Sequence, residues 1–166
     1  MYKLFTVIAI ASIAFLTSCS KKKQFIYEND TDFHEWINQQ YVRPVPNPHS
    51  GTTVSVIDSL HEYSLGLSKT IANISDKKLT QVKFSFWAYI KSDQAKATVV
   101  LSVDMNGKNN LWEGRPLKGA ALNTWTQIEE TYAIPDKLDP NNVVSIYVWN
   151  NSKEEILIDD LKMVFK

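Results

Sequence analysis

Carboxylates, imidazoles and a single thiol are the groups in this chain equipped for covalent or acid–base chemistry, and their spacing argues against it. Glu129-Glu130, Glu154-Glu155 and Asp159-Asp160 are adjacent pairs. Neighbours on a strand point to opposite faces. Such a pair cannot flank one glycosidic bond with its carboxyls about 5–9 Å apart. A pair assembled from different strands would leave no mark in the sequence. His34, His49 and His61 show no zinc spacing of the His-Glu-x-x-His kind, and Ser50 lacks the Gly-x-Ser-x-Gly elbow of a nucleophilic serine. Formal net charge is zero, which leaves no basic excess for nucleic acid. The pattern points to a binding protein without catalysis.

Binding chemistry is better represented. Trp87 and Tyr89 alternate with Phe84, Phe86, Ala88 and Ile90, and Tyr147 and Trp149 alternate with Val144, Ile146 and Val148. If the aliphatic sets form a core between two sheets, the four rings lie on outer sheet faces. On one shared sheet they would form a platform for the C–H face of a sugar, with nearby polar groups to fix its hydroxyls. The alternative is that loops or the N-terminal segment cover them as a second small core. Trp112, beside Glu113 and Arg115, is a further candidate ligand contact, whereas Trp125 opens a strand and reads as a core residue. Asp159 shares an alternation face with Leu157, Leu161, Met163 and Phe165. A carboxylate on a core-side face must be paired, hydrogen-bonded or metal-bound.

These residues need strands to position them, and strands are what the chain offers. Thr52–Val56, Tyr63–Thr70, Leu79–Lys91, Ala97–Met105 and Trp125–Ile134 read as strands, with Asn109–Trp112 as a further short one. Val143–Phe165 reads as a closing hairpin around the polar turn 150–155, and Asn106-Gly107 marks a second turn. Phe25–Trp36 suits a short first strand and loop. Arg43–Gly51 carries several prolines and reads as an irregular loop. Asp58–His61 could make one helical turn, and no long amphipathic helix is present. Seven or eight short strands with polar turns predict an all-β, two-sheet antiparallel sandwich.

The chain begins with Lys3, an apolar run Leu4–Leu16 too short to span a bilayer comfortably, and Leu16-Thr17-Ser18-Cys19. That ending resembles the lipobox of bacterial lipoproteins. The resemblance implies removal of residues 1–18 and acylation, with palmitate-like chains, at Cys19, which would hold the protein on a bilayer. An ordinary secretory signal or an uncleaved anchor is the alternative. An acylated Cys19 leaves no thiol for a disulfide, because it is the only cysteine. Residues 19–26, with Lys21-Lys22-Lys23, then form a tether, and 27–166 the domain. The chain resembles lipoproteins of the Bacteroidetes. In that phylum surface export goes with acidic residues after the cysteine. None follows here, which favours a periplasm-facing place in the envelope, on the outer membrane.

His49-Ser50-Gly51, Tyr63-Ser64, Trp87, Trp125 with Pro135, and Ile158-Asp159-Asp160-Leu161 follow one another in an order similar to that of carbohydrate-binding-module-like jelly rolls of the CenC type, with a galactose-binding-like fold. Tyr27-Glu28-Asn29 resembles the opening element of that family. The resemblance implies a jelly roll that binds a glycan without chemistry. It also implies a structural calcium held by the Glu28 carboxylate, the Gly51 carbonyl and the Asp159 carboxylate, hard oxygen ligands of the kind Ca²⁺ prefers. Glu35 or Asp32 could stand in for Glu28. Alternatively, Asp159 accepts main-chain N–H groups. His49 reads as a loop residue hydrogen-bonded beside Gly51, which permits a tight turn. The competing functional reading is a structural or interaction lipoprotein that docks onto another envelope protein.

Overall fold

The computed structural model describes residues 24–32, 36–105 and 108–166. The expected signal peptide, Cys19, the lysine run, His34, Glu35 and the Asn106-Gly107 turn lie outside the described residues.

Among the described residues, ten strands build two antiparallel sheets. They are β1 (Phe25–Asn29), β2 (Val42–Pro44), β3 (Thr53–Ile57), β4 (Leu67–Thr70), β5 (Gln81–Ile90), β6 (Ala97–Met105), β7 (Lys108–Pro116), β8 (Thr126–Ala133), β9 (Val143–Asn150) and β10 (Ile156–Phe165). The six-stranded sheet runs β2-β3-β10-β5-β8, with β1 also on β10; the four-stranded sheet runs β4-β9-β6-β7. Together they form the expected jelly-roll sandwich. An α-helical turn, α1 (Ile71–Ile74), follows β4 and is capped by the Thr70 hydroxyl, which accepts from the Asn73 N–H. Asp58–His61 forms no helix; the Asp58 carboxylate instead takes the main-chain N–H groups of Leu60 and His61.

Alternation explains the core. Val82, Phe84, Phe86 and Ala88 of β5 meet Val99, Leu101 and Val103 of β6 and Val144, Ile146 and Val148 of β9, all buried. Burial of some 1.5–3 kcal/mol per large side chain is the main favourable contribution. The buried Tyr132 of β8 joins the layers by donating its hydroxyl to the Val99 carbonyl of β6 at 2.8 Å. The inter-sheet core lies between Phe25 and Phe165, so this segment carries its own core. Phe25 pairs with Phe165, which starts the sandwich two residues before the expected boundary at residue 27.

β10 organises the larger sheet. One side pairs with β5; the other is divided between β3, opposite residues 156–158, and β1, opposite residues 161–165. At the junction the register slips, and Asp160 takes a left-handed conformation with φ 47°. This bulge corrects the expected face of the last strand. Ile156 and Ile158 point into the sandwich before it, and Leu161, Met163 and Phe165 after it. Leu157 and Asp159 therefore belong to the outer face. The extra residue reverses the alternation, so parity alone misplaced Asp159 in the inter-sheet core.

Candidate functional site

The predicted rings do lie on outer faces, but on opposite sheets. Trp87 and Tyr89 belong to β5 of the six-stranded sheet, and Tyr147 and Trp149 to β9 of the four-stranded sheet. A single four-ring platform is thereby ruled out. Strand pairing explains what each face becomes.

On the four-stranded sheet, cross-strand register brings Tyr147 beside Val100, Trp149 beside Thr98, and Trp112 beside Ser102. Trp112 lies across Gly114, two residues further along the same face of β7. Its Cη2 and Cζ3 atoms occupy the space that a Cβ on Gly114 would need, with Thr98 Cγ2 only 2.8 Å from that position. The ring lies flat because a glycine is beneath it, and it remains 47% exposed. Trp149 meets it edge-on, with centroids 6.3 Å apart at 78°. Tyr63, 41% exposed, bridges to Trp149 through the backbone and packs edge-on against Tyr147 at 5.6 Å. Burial pushes the Tyr147 phenol up, opposed by polar contacts from the Trp112 and Ser102 side chains. The Ser68 and Ser145 hydroxyls, 2.9 Å apart, join β4 to β9. Trp149 Nε1–H is buried with no hydrogen-bond partner among the described residues. An unused buried donor costs stability, here at a face already rich in rings and hydroxyls.

This face unites three of the five predicted ligand residues: Trp112, Tyr147 and Trp149. It adds Tyr63, which the sequence offered as a family landmark and as the start of an expected strand Tyr63–Thr70, found as Leu67–Thr70. Tyr63 precedes β4 rather than lying within it, so no strand alternation could place its ring. Chemically the arrangement offers two indoles meeting as a corner, two phenols and a row of small hydroxyls.

On the six-stranded sheet the loop before β3 covers much of the outer face. Tyr89 and Trp125 pack with Val45, Val54, Val56 and Leu157 in a small outer cluster. Trp125 Nε1 donates to the Asn47 carbonyl at 3.2 Å. Trp125 is therefore a loop anchor, not an inter-sheet core residue, and Tyr89 is largely absorbed by the same cluster. Trp87 stacks on His49, with centroids 3.8 Å apart and planes within 17°. His49 Nδ1 lies 2.5 Å from Asp160 Oδ2, and the Ser50 hydroxyl donates to Asp160 Oδ1 at 2.6 Å.

Asp159 is fully buried beneath this loop. Its Oδ2 accepts from the main-chain N–H groups of His49 at 2.9 Å and Ser50 at 3.1 Å. Its Oδ1 accepts from Asp160 N–H at 2.8 Å and the Thr31 hydroxyl at 3.4 Å. Burial raises its pKa to about 6, with the Ser50, Asp160 and His49 N–H groups opposing and the Asp160 charge adding to the rise. At the expected calcium centre the described carboxylates have other partners. Glu28 is exposed and pairs with Lys162, and the groups facing Asp159 are proton donors, which a cation would repel. Gly51 adopts φ +54°, and the Asp32 carboxylate fills the space a Cβ would take there. Asp32 is thus the acid that reaches Gly51, but its Oδ1 already accepts from the Thr53 hydroxyl at 2.6 Å and N–H at 3.2 Å. Glu28 and Asp159 thus have partners of their own, and Glu35 lies outside the described residues.

The fold is a two-sheet antiparallel jelly-roll sandwich, and solved structures share it. The chain is similar to a xylan-binding domain of carbohydrate-binding module family 22 from Paenibacillus barcinonensis, at 15% identity and TM-score 0.56, covering 82% of this chain and 97% of that one. It is also similar to a xylan-binding domain of the same module family at 14% identity and TM-score 0.54, covering 86% and 96%. A third similar structure is the C-terminal family 22 module of a Clostridium thermocellum xylanase, at 12% identity and TM-score 0.50, covering 86% and 81%. At these identities the likeness is one of fold. No protein-family model matches the chain, and no curated protein matches it.

Proposed function

We propose that this protein is a non-catalytic carbohydrate-binding module, lipid-anchored through Cys19 in a Gram-negative envelope, that binds a glycan on the outer face of its four-stranded sheet. The observation that carries this reading is the corner formed by Trp112 and Trp149. One indole lies flat with an exposed face, the other stands nearly perpendicular, and Tyr63 and Tyr147 extend the surface. Flat stacking suits the C–H face of a pyranose, and the surrounding hydroxyls suit its polar rim. Xylan-binding neighbours of the same fold support the ligand class. Lipid anchoring and a periplasm-facing place on the outer membrane rest on the lipobox and on the tether that follows it. Among the described residues no helix is long and apolar enough to cross a membrane.

The test is a glycan array probed with residues 20–166, beside Trp149→Ala and Trp112→Ala. Binding of a defined glycan that both variants weaken supports the reading. Binding that both variants retain undiminished, or no binding at all, overturns it. The exposed Leu60, Tyr63 and Trp112 would then direct pull-downs toward an envelope protein partner.

A further inference from the structure

A groove of about 550 Å³ crosses the outer face of the six-stranded sheet, on the side of the sandwich opposite the Trp112–Trp149 corner. Its wall is Trp87, and Asp30, Ser85, Gln127, Asp160 and Lys162 are among the residues around it. The volume falls within the range of about 300–1,000 Å³ usual for small-ligand sites. Trp87 has no part in the core: its neighbours Phe86 and Ala88 are the β5 residues that point inward and are fully buried. It is instead built into position from outside. His49 stacks on the indole at 3.8 Å, and Trp125 stands edge-on to His49 at 5.8 Å. The His49 ring is held by Asp160, and Asp160 in turn by the Ser50 hydroxyl. Neither His49 nor Trp125 is among the residues lining the groove; His49 backs the indole and Trp125 backs His49. The bulge in β10 makes this possible, because it turns Asp160 outward to meet the loop.

From this geometry we infer that the groove is a second ligand site, independent of the first, for a neutral pyranose unit of a glycan. A fixed indole face supplies the stacking surface at little ordering cost. Strand register places Gln127 directly beside Trp87, where its amide can both donate to and accept from hydroxyls. Asp30 adds a carboxylate acceptor at the rim. Charge sets the ligand's sign. Lys162 is paired with Glu28 and Asp160 with His49 and Ser50, leaving the Asp30 carboxylate at the rim to repel uronates, phosphates and sulfates. Two sites on opposite faces would let one molecule bridge two glycan chains.

The test reads the indole N–H signals of ¹⁵N-labelled residues 20–166, assigned by single Trp→Phe changes. Probes are xylohexaose, cellohexaose and mannohexaose, all neutral, with a galacturonate hexamer as the anionic control. In a Trp112→Ala/Trp149→Ala variant, the Trp87 signal should still shift with a neutral probe and stay fixed with the anionic one. Gln127→Ala and Asp30→Ala, both surface changes, should each weaken that response about tenfold. Shifts confined to the Trp112 and Trp149 signals of the wild type would overturn this site and leave the first intact. Signals that stay fixed on both faces would overturn both.

Discussion

Gly114 carries a consequence that its backbone does not reveal. The residue is held clear of side-chain atoms not for conformational freedom but because Trp112 lies where a Cβ would be. Gly114→Ala should therefore lift or tilt the indole. Glycan affinity should fall about tenfold or more, the scale of a lost aromatic hot spot. The variant should fold with nearly wild-type stability, because the ring is half exposed and leaves no core cavity. Calorimetric titration against the glycan found on the array, alongside thermal melting, separates the two effects. Unchanged affinity would remove Trp112 as the platform. Trp112 itself was legible as a candidate from its type and polar neighbours. Its seat was not, since a glycine two residues away in a strand ordinarily reads as a weak spot.

The bulge in β10 is the element on which the other face depends. Regular alternation placed Asp159 with the core; one extra residue moved it beneath the loop that holds His49 and Ser50. Its raised pKa gives the bulge a pH signature. The folded-state pKa of about 6 lies above the ordinary value of 3.8, so the folded state holds this proton more tightly than the unfolded chain. The associated stability is full below about pH 4 and is lost as pH rises through about 6. Denaturant melts at pH 4 and pH 7 should show this loss in the wild type, up to about 3 kcal/mol. Asp159→Asn, which does not titrate, should lack that component of the slope. Equal slopes in the two proteins would refute the assignment. The sequence marked Asp159 as an anomaly needing a partner. It could not choose among partners, because all the donors but the Asp160 N–H come from residues more than a hundred positions away.

At the scale of the whole molecule, a sandwich without a disulfide among its described residues is held by the contact of its two sheets. Of the carboxylates expected to bind calcium, Asp159 and Asp32 are occupied by N–H and O–H donors and Glu28 by Lys162. Adding calcium, or removing it with EDTA, should therefore move the melting temperature by less than about 2 °C. A clear rise in calcium would return a cation to the Asp159 region. Alternation at period two is a local property, so it determined the all-β class, most strands and which rings turn outward. Local reading underestimated β7, expected as Asn109–Trp112 and found as Lys108–Pro116, because its glycine, arginine and proline are poor strand signals that pairing with β6 overrides. It could not tell that β5 and β9 belong to different sheets, which split four expected rings into two faces. Nor could it bring Tyr63 to Trp149, or His49 to Trp87. By itself the sequence determined what each strand would show to its two sides. Tertiary structure alone decided which strands became neighbours and where the alternation would slip, because pairing and bulges arise from contacts between residues far apart in the chain.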